Sequence, residues 1–292
     1  MRKLIIFGSA FRYPNTVDNI DGWEVYKNPA EEDPDFTRDP FSKAYTKIIK
    51  KIKPDFVIGL CAGCTEMKWD AMKKPKGPKY ISWTHDSYRH AIRPITSDLH
   101  LSAIPDATMT RSDNYMPLWA ESAVTPIPLN QRKIKVGICC RPYDCANSWR
   151  KHRLADLAVK NMKGMLYVNL NNIPLPQFTE ELRTTQLSLN VPVYPDGLPN
   201  RRIFEAGANG VMPLVHADNR GAFAGLIDDA HIKYFDDNAT PDTFRKSIGR
   251  GYDPLELQAY YNKHHTLGAR LQTIFKEFFD ISFPAGRADG TA

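Results

Sequence analysis

The chain has 292 residues, 42% of them hydrophobic and 25% charged, with a formal charge of +6. That balance excludes a disordered polyelectrolyte, and the length suits two domains of common size. No apolar run is long enough to span a bilayer, and Met1-Arg2-Lys3 leads into a strand-like run without a small-residue cleavage site, so a cytoplasmic protein with no membrane span is expected. The five cysteines, with Cys139 and Cys140 adjacent, do not lay out a disulfide framework, and reduced thiols are expected.

Lys3 to Phe7 reads as a buried strand, and Gly8-Ser9-Ala10 after it are small residues suited to a tight turn beside a ligand. Residues 41 to 53 read as an amphipathic helix whose stripe is Tyr45, Ile48, Ile49 and Ile52 and whose lysines face water. Phe56 to Leu60 is a second core strand. The Cys61-Ala62-Gly63-Cys64 segment behind it has redox-motif spacing, but its flanks carry no other redox signal, and small residues lining a ligand loop explain it better. Met72 to Lys79 is a basic loop punctuated by proline and glycine, from which Lys73, Lys74 and Lys76 can reach a polyanion.

Lys79 to Thr84 is a further strand. It runs into His85-Asp86-Ser87, with Arg89, His90 and Arg93 close behind. A general base needs a titratable group at the acceptor hydroxyl, and either His85 or Asp86 could serve; a helix N-cap at Asp86 or Ser87 is a compatible reading. Ala107 to Thr110 reads as another short strand. A proline-rich connection follows, and the boundary falls near Asn130, which divides the chain into 1–130 and 131–292.

The second half repeats the rhythm. Strands are expected at Ile134 to Cys139, Met165 to Leu170, Leu187 to Asn190 and Met212 to His216, and helices around Arg150 to Lys160 and Gln177 to Thr185. Leu255 to Phe279 reads as one long helix and Pro284 to Ala292 as a frayed end. Alternating helices and short apolar strands argue for an α/β protein with parallel sheets covered on both faces.

Ligands in such sheets bind at the carboxyl ends of the strands. Val136-Gly137 to Arg141-Pro142, followed by the basic helix start at Ser148-Trp149-Arg150, is a strand, small turn and cationic helix that would suit a diphosphate. The most informative stretch runs from Pro199-Asn200-Arg201-Arg202 through Ile203-Phe204-Glu205-Ala206 to Gly210. Arg202 and Glu205 stand three apart and share a helix face, where a cation would meet phosphate oxygens and a carboxylate would accept from ribose hydroxyls. An ordinary surface ion pair is the competing reading. None of the aspartate pairs, Asp33/Asp35, Asp228/Asp229 and Asp236/Asp237, follows a strand in a way that suggests a metal site, so no metal is expected.

In order and in several motifs the chain resembles GT-B glycosyltransferases, specifically the compact group 1 type that includes spore-maturation glycosyltransferase relatives. The matching pieces are Trp83-Thr84-His85-Asp86-Ser87, Pro128-Leu129-Asn130, Val136-Gly137, Leu189-Asn190, Arg202-Ile203-Phe204-Glu205-Ala206 and His265-Thr266-Leu267-Gly268-Ala269-Arg270. The likeness spans nearly the whole chain and is stronger in the second half.

The resemblance implies two Rossmann-like domains facing each other across a cleft: an acceptor-side domain at 1–130, and a nucleotide-sugar domain at 131–292 that carries the long terminal helix. It further implies Glu205 on the donor ribose and Arg202 on the diphosphate or sugar, with Asn200, Phe204, Gly137, Arg141 and Arg150 around the donor. Gly8, Ser9, Arg89 and Lys74 would lie on the acceptor side, with His85 or Asp86 facing the acceptor. No cofactor is expected beyond the nucleotide-sugar, a UDP-sugar by preference, and arginines and helix N–H groups would stabilise the leaving diphosphate without a metal. The partner is then a hydroxyl acceptor. Glycan and protein acceptors are open, and the basic balance also fits a hydroxymethylated base in duplex DNA. A sugar-nucleotide epimerase and a non-catalytic nucleotide-binding module are the competing functions.

Overall fold

The structure is a computed structural model. It describes residues 1–8, 17, 20–28, 41–61, 72–84, 97–103, 115–120, 122–139, 166–169, 175–190, 201–236, 238–240, 242–243, 246–247 and 251–284. The chain divides into two compact units, one made of Met1–Leu118 with Leu267–Arg287, the other having Trp119–Thr266 as its body.

The first unit is built on a five-stranded sheet of β1 (Arg2–Gly8), β2 (Trp23–Lys27), β3 (Phe56–Cys61), β4 (Lys79–Thr84) and β5 (Leu99–Ser102). The order is β2-β1-β3-β4-β5 and every pairing is parallel. Central strands of a parallel sheet are covered on both faces and read as continuous apolar runs; Leu4, Ile5, Ile6 and Phe7 are accordingly fully buried. Helix α1 (Phe41–Ile52) lays Tyr45, Ile48 and Ile49 against Ile5, Phe7 and Val57, as its apolar spacing requires. Its lysines face outward, Lys47 and Lys50 among them, and Lys53 follows its last turn.

The second unit repeats the architecture with β6 (Ile134–Cys139), β7 (Leu166–Asn169), β8 (Thr185–Asn190), β9 (Met212–His216) and β10 (Lys233–Phe235), in the order β10-β9-β8-β6-β7 and again all parallel. Its α-helices among the described residues include α2 (Leu175–Arg183), α3 (Arg201–Ala208), the single turn α4 (Arg220–Phe223) and α5 (Pro254–His264), and α6 (Leu267–Phe279) returns to the first unit. Read from the first strand outward, both sheets have one strand on one side and three on the other, the topology of two Rossmann-like units. The α/β, parallel-sheet expectation holds in both.

Several elements differ from the sequence reading. Strands β2, β5 and β10 were not expected, and β8 begins at Thr185, where the sequence suggested that a helix was still running. The long terminal helix is two helices, broken at His265, whose φ of −128° and ψ of 22° leave the helical region while its N–H still reaches Tyr261 C=O. The division between units falls at Leu118/Trp119, not near Asn130. The last helix packs in the first unit, because Phe275 lies 4.7 Å from Trp23 and 4.9 Å from Phe56, with Phe283 stacked on Phe275 at 5.2 Å. An aromatic cluster of that size is core, and it takes α6 with it. The strand expected at 107–110, the helix at 150–160 and Cys64 lie outside the described residues. No helix among them is long and apolar enough to cross a membrane.

Candidate active site

In the second unit the site is organised by α3. The end of α3 is fixed by backbone geometry: Gly210 adopts a φ of 65°, its N–H reaches Gly207 C=O at 2.9 Å, and Val211 N–H reaches Ala206 C=O at 2.9 Å. This is a glycine-terminated helix stop. Asn209 reinforces it, its Nδ2 donating to Glu205 C=O at 2.8 Å and its Oδ1 accepting from Ser122 Oγ at 2.9 Å. Gly207 is required by packing, since a Cβ there would lie 2.3 Å from the ring of the fully buried Tyr261.

The direction of α3 follows from Tyr252. Its hydroxyl donates to Gln186 C=O at 2.5 Å and accepts from Met212 N–H at 3.1 Å, and it also lies 3.3 Å from Gly210 C=O. Gln186 and Met212 are at the starts of β8 and β9, so α3 ends at the amino-terminal edge of the sheet. Eight residues rise about 12 Å, which carries the start of α3 toward the carboxyl-terminal edge, where an α/β sheet binds ligands.

That start carries Arg201 and Arg202 and no acidic residue in the first turn. Two guanidinium groups at the positive end of a helix dipole oppose the dipole, and a bound anion would relieve the conflict. Glu205 lies one turn in. Its Oε1 is 2.9 Å from Arg201 Nε, and the two side chains are 17% and 26% exposed, so the pair is partly shielded from water. The sequence paired Glu205 with Arg202 at three residues' spacing; the structure pairs it with Arg201 at four. Arg202 keeps its place on the same helix start, half-buried.

Two expected donor contacts take other roles. Phe204 is fully buried and its ring lies 5.3 Å from that of His265, so it is core and cannot stack on a ligand. Gly137 sits inside β6, not at its end, and a Cβ there would meet Thr185 Cγ2 at 2.6 Å; its smallness serves strand packing. His216 closes β9 at the same carboxyl-terminal edge. It is 3% exposed, its Nδ1 accepts from Asp218 N–H at 3.3 Å, and its ring meets Phe235 edge-on. Asn200, Arg141 and Arg150 lie outside the described residues.

In the first unit β4 delivers the chain to Thr84, which pairs with Cys61 on one side and Ser102 on the other at the carboxyl-terminal edge. His85 and Asp86 follow directly in sequence; they lie outside the described residues, as do Ser9 and Arg89. Gly8 ends β1 at this edge, but its backbone is occupied: its N–H donates to Asn28 Oδ1 at 3.1 Å and its C=O accepts from Asn28 Nδ2 at 3.3 Å. Asn28 achieves this from a left-handed φ of 40°, and Tyr45 Oη donates to the same Oδ1 at 3.2 Å. The asparagine side chain therefore extends the β1–β2 ladder by one peptide-like pair. A Cβ on Gly8 would lie 2.4 Å from Leu60 C=O, which explains the glycine by packing. Lys74 is in the loop before β4, at the amino-terminal edge, so the structure does not bring it to Gly8.

The sequence reading did not single out Arg132. Its guanidinium is 3% exposed; Nε donates to Ile127 C=O at 2.7 Å, and Nη1 donates to Thr185 C=O at 2.8 Å and to Tyr252 Oη at 3.1 Å. Burial lowers its pKa. It braces the amino-terminal edge on which α3 ends.

No protein-family model matches the chain, and no curated protein matches it. Solved structures do. AviGT4, a glycosyltransferase involved in avilamycin A biosynthesis, matches with a TM-score of 0.57 at 10% identity over 97% of this chain and 100% of that one. The Anabaena protein HepE, solved in complex with UDP, matches at 0.52, with 10% identity over 96% and 100% of the two chains. Sucrose-phosphate synthase from Thermosynechococcus elongatus matches at 0.51, also at 10% identity over 96% and 100%. At such identity the likeness is one of fold, and the fold is GT-B.

Proposed function

We propose that the chain is a nucleotide-sugar-dependent glycosyltransferase that moves a sugar from a UDP-sugar to an acceptor hydroxyl. The observation that supports the reading best is the start of α3. It places two guanidinium groups, a helix N-terminus and a partly shielded carboxylate paired with Arg201 toward the ligand-binding edge of the second sheet. The GT-B likeness supports reading that edge as a nucleotide-sugar site, and one structure of this fold, HepE, was solved with UDP bound.

In this reading Arg201 and Arg202 face the diphosphate, and Glu205 accepts from the ribose. The acceptor oxygen forms a bond to the anomeric carbon as the bond from that carbon to the diphosphate oxygen breaks. The hydroxyl proton passes to His85 or Asp86, which follow the end of β4 in sequence. Negative charge gathers on the departing diphosphate, where the guanidinium groups and N–H donors stabilise it. As acceptor we take a hydroxymethylated base in duplex DNA, flipped from the stack for the reaction, because a chain of +6 charge attracts a polyanion; glycan and protein hydroxyls are the alternatives.

The test is nucleotide release from UDP-, GDP- and dTDP-sugars, with and without duplex DNA carrying hydroxymethylated bases. Release stimulated by that DNA is expected. Conversion of the donor without release would mark an epimerase, and no turnover in any condition would sink the transferase reading. Glu205→Ala should lower kcat/KM by about 10- to 100-fold through loss of charge-assisted hydrogen bonds. His85→Ala or Asp86→Ala, whichever removes the base, should lower kcat by about 100-fold or more.

A further inference from the structure

At the amino-terminal edge of the first sheet, the end opposite Gly8 and Thr84, lies an open cleft of about 710 Å³. Arg2 at the start of β1, Lys50 in the last turn of α1, Lys53 just beyond it and Lys76 in the loop before β4 supply four cations, all exposed. Both lysine-rich segments of the sequence thus contribute to one concavity. Among the described lining residues Asp55 is the one carboxylate, and its Oδ2 accepts from Lys3 N–H at 2.7 Å. The carboxyl end of α1 adds about half a negative charge, so a clear positive excess remains.

Lys53 holds a left-handed φ of 53° with its N–H on Ile49 C=O at 2.9 Å, a helix-end position that favours glycine. Lysine occupies that position at a conformational cost. Nearby backbone donors are spent: Arg2 N–H on Gly22 C=O, Asp55 N–H on Lys3 C=O and Lys79 N–H on Asp55 C=O. Phe56, the lining's aromatic residue, is buried. Among the described residues the cleft is thus equipped chiefly with cationic side chains, which suits phosphate contacts that ignore base identity.

We propose that this cleft binds the phosphate backbone of duplex DNA and so holds the acceptor by charge, away from the edge that carries the chemistry. The inference rests on the DNA-acceptor reading above. Its test needs no donor: fluorescence anisotropy of a labelled, unmodified 20-base-pair duplex with the full chain between 50 and 200 mM salt. The triple variant Lys50→Ala, Lys53→Ala, Lys76→Ala should flatten the slope of log affinity against log salt by about 2 to 3 units and weaken binding about tenfold or more at the low-salt end. A control triple with the same charge change, Lys133→Ala, Lys246→Ala and Lys263→Ala, should lose less than a third of that.

Equal losses in the two triples would overturn the proposal, as would no binding of the duplex by the wild type. Binding of anionic phospholipid vesicles in preference to DNA, lost in the cleft triple, would also overturn it. All six lysines are exposed or half-buried, and circular dichroism checks that each variant is folded. Nucleotide release reports on the transferase reading separately: its absence leaves the anisotropy comparison intact, and an unchanged anisotropy leaves the release assay intact.

Discussion

The two units share a strand order but close the amino-terminal edge of their sheets with opposite chemistry. In the first unit Trp23, Phe56, Phe275 and Phe283 pack ring against ring, and no cation enters the cluster among the described residues: Arg2 is exposed, with its guanidinium over the Trp23 ring at 5.8 Å. In the second a cation goes inside: Arg132 is buried, with Nε donating to Ile127 C=O and Nη1 to Thr185 C=O and Tyr252 Oη, while Nη2 has no hydrogen-bond partner among the described residues. Topology determines where an edge lies and leaves open what fills it. An aromatic closure is non-directional and degrades by area, whereas a buried guanidinium depends on a few directional partners. In the first unit the strand residues Trp23 and Phe56 are closed over by Phe275 of α6 and by Phe283 beyond it, and in the second the closing groups Arg132 and Tyr252 come from outside the strands.

Two substitutions break the comparison directly. Phe275→Ala deletes the ring that touches Trp23, Phe56 and Phe283 and should cost about 3–5 kcal/mol, read as a lower urea midpoint for the unit that holds α6. An unaltered midpoint would show that α6 is not part of that core. Arg132→Met keeps the apolar stem but leaves Ile127 and Thr185 carbonyls without their donor, at a cost of about 3 kcal/mol. If the units unfold separately, the two variants move different transitions. Both variants moving a single transition would mean that the two closures are energetically one.

The same contrast explains what the sequence revealed. Central strands such as Ile5-Ile6-Phe7 and Val57-Ile58 are covered on both faces, so their composition announces them. The strands that escaped notice, β2, β5 and β10, are all edges of their sheets, and short mixed runs such as Trp23-Glu24-Val25-Tyr26-Lys27 suffice there. The break between α5 and α6 carries no proline, and its cue was Thr266, a good helix-starting residue ahead of Leu267.

At the site, Arg202 and Glu205 were legible from spacing, but Arg201 offers the equally good four-residue spacing and takes the carboxylate. Phe204 and Gly137 were misread because sequence adjacency to a functional pattern does not separate the ligand face of an element from its core face. Asn28 was readable in principle, since asparagine is the non-glycine residue that best tolerates a left-handed turn. Nothing in the chain before folding says that its amide will cover Gly8.

Tyr252→Phe sharpens the account of the second closure at smaller cost. The ring stays, while Met212 N–H loses its acceptor and Gln186 C=O its donor, so about 1–2 kcal/mol should go from the midpoint that Arg132→Met moves. Because Arg132 Nη1 also donates to this hydroxyl, the double variant should fall short of the sum of the singles. Full additivity would show that the guanidinium and the phenol act independently.

The smallest expected effect tests the reverse case, a titratable group inside the first unit. His100 pairs with Ser82 across β5 and β4. Its Nδ1 is 2.7 Å from Ser82 Oγ, which in turn lies 2.8 Å from Ser97 Oγ. Burial lowers its pKa from the ordinary 6.5. The unfolded chain then takes up a proton at a pH where the folded chain still refuses it. The stability linked to His100 is complete above pH 6.5 and is lost as pH falls through the lower, folded value. The hydroxyl chain can rotate to accept from a protonated ring, so the penalty is desolvation and not a broken bond, which keeps it modest. Urea midpoints for the wild type and His100→Gln at pH 7.5 and 5.5 isolate it: the wild type should lose more on acidification than the variant. Parallel losses in both would assign the acid sensitivity to other groups.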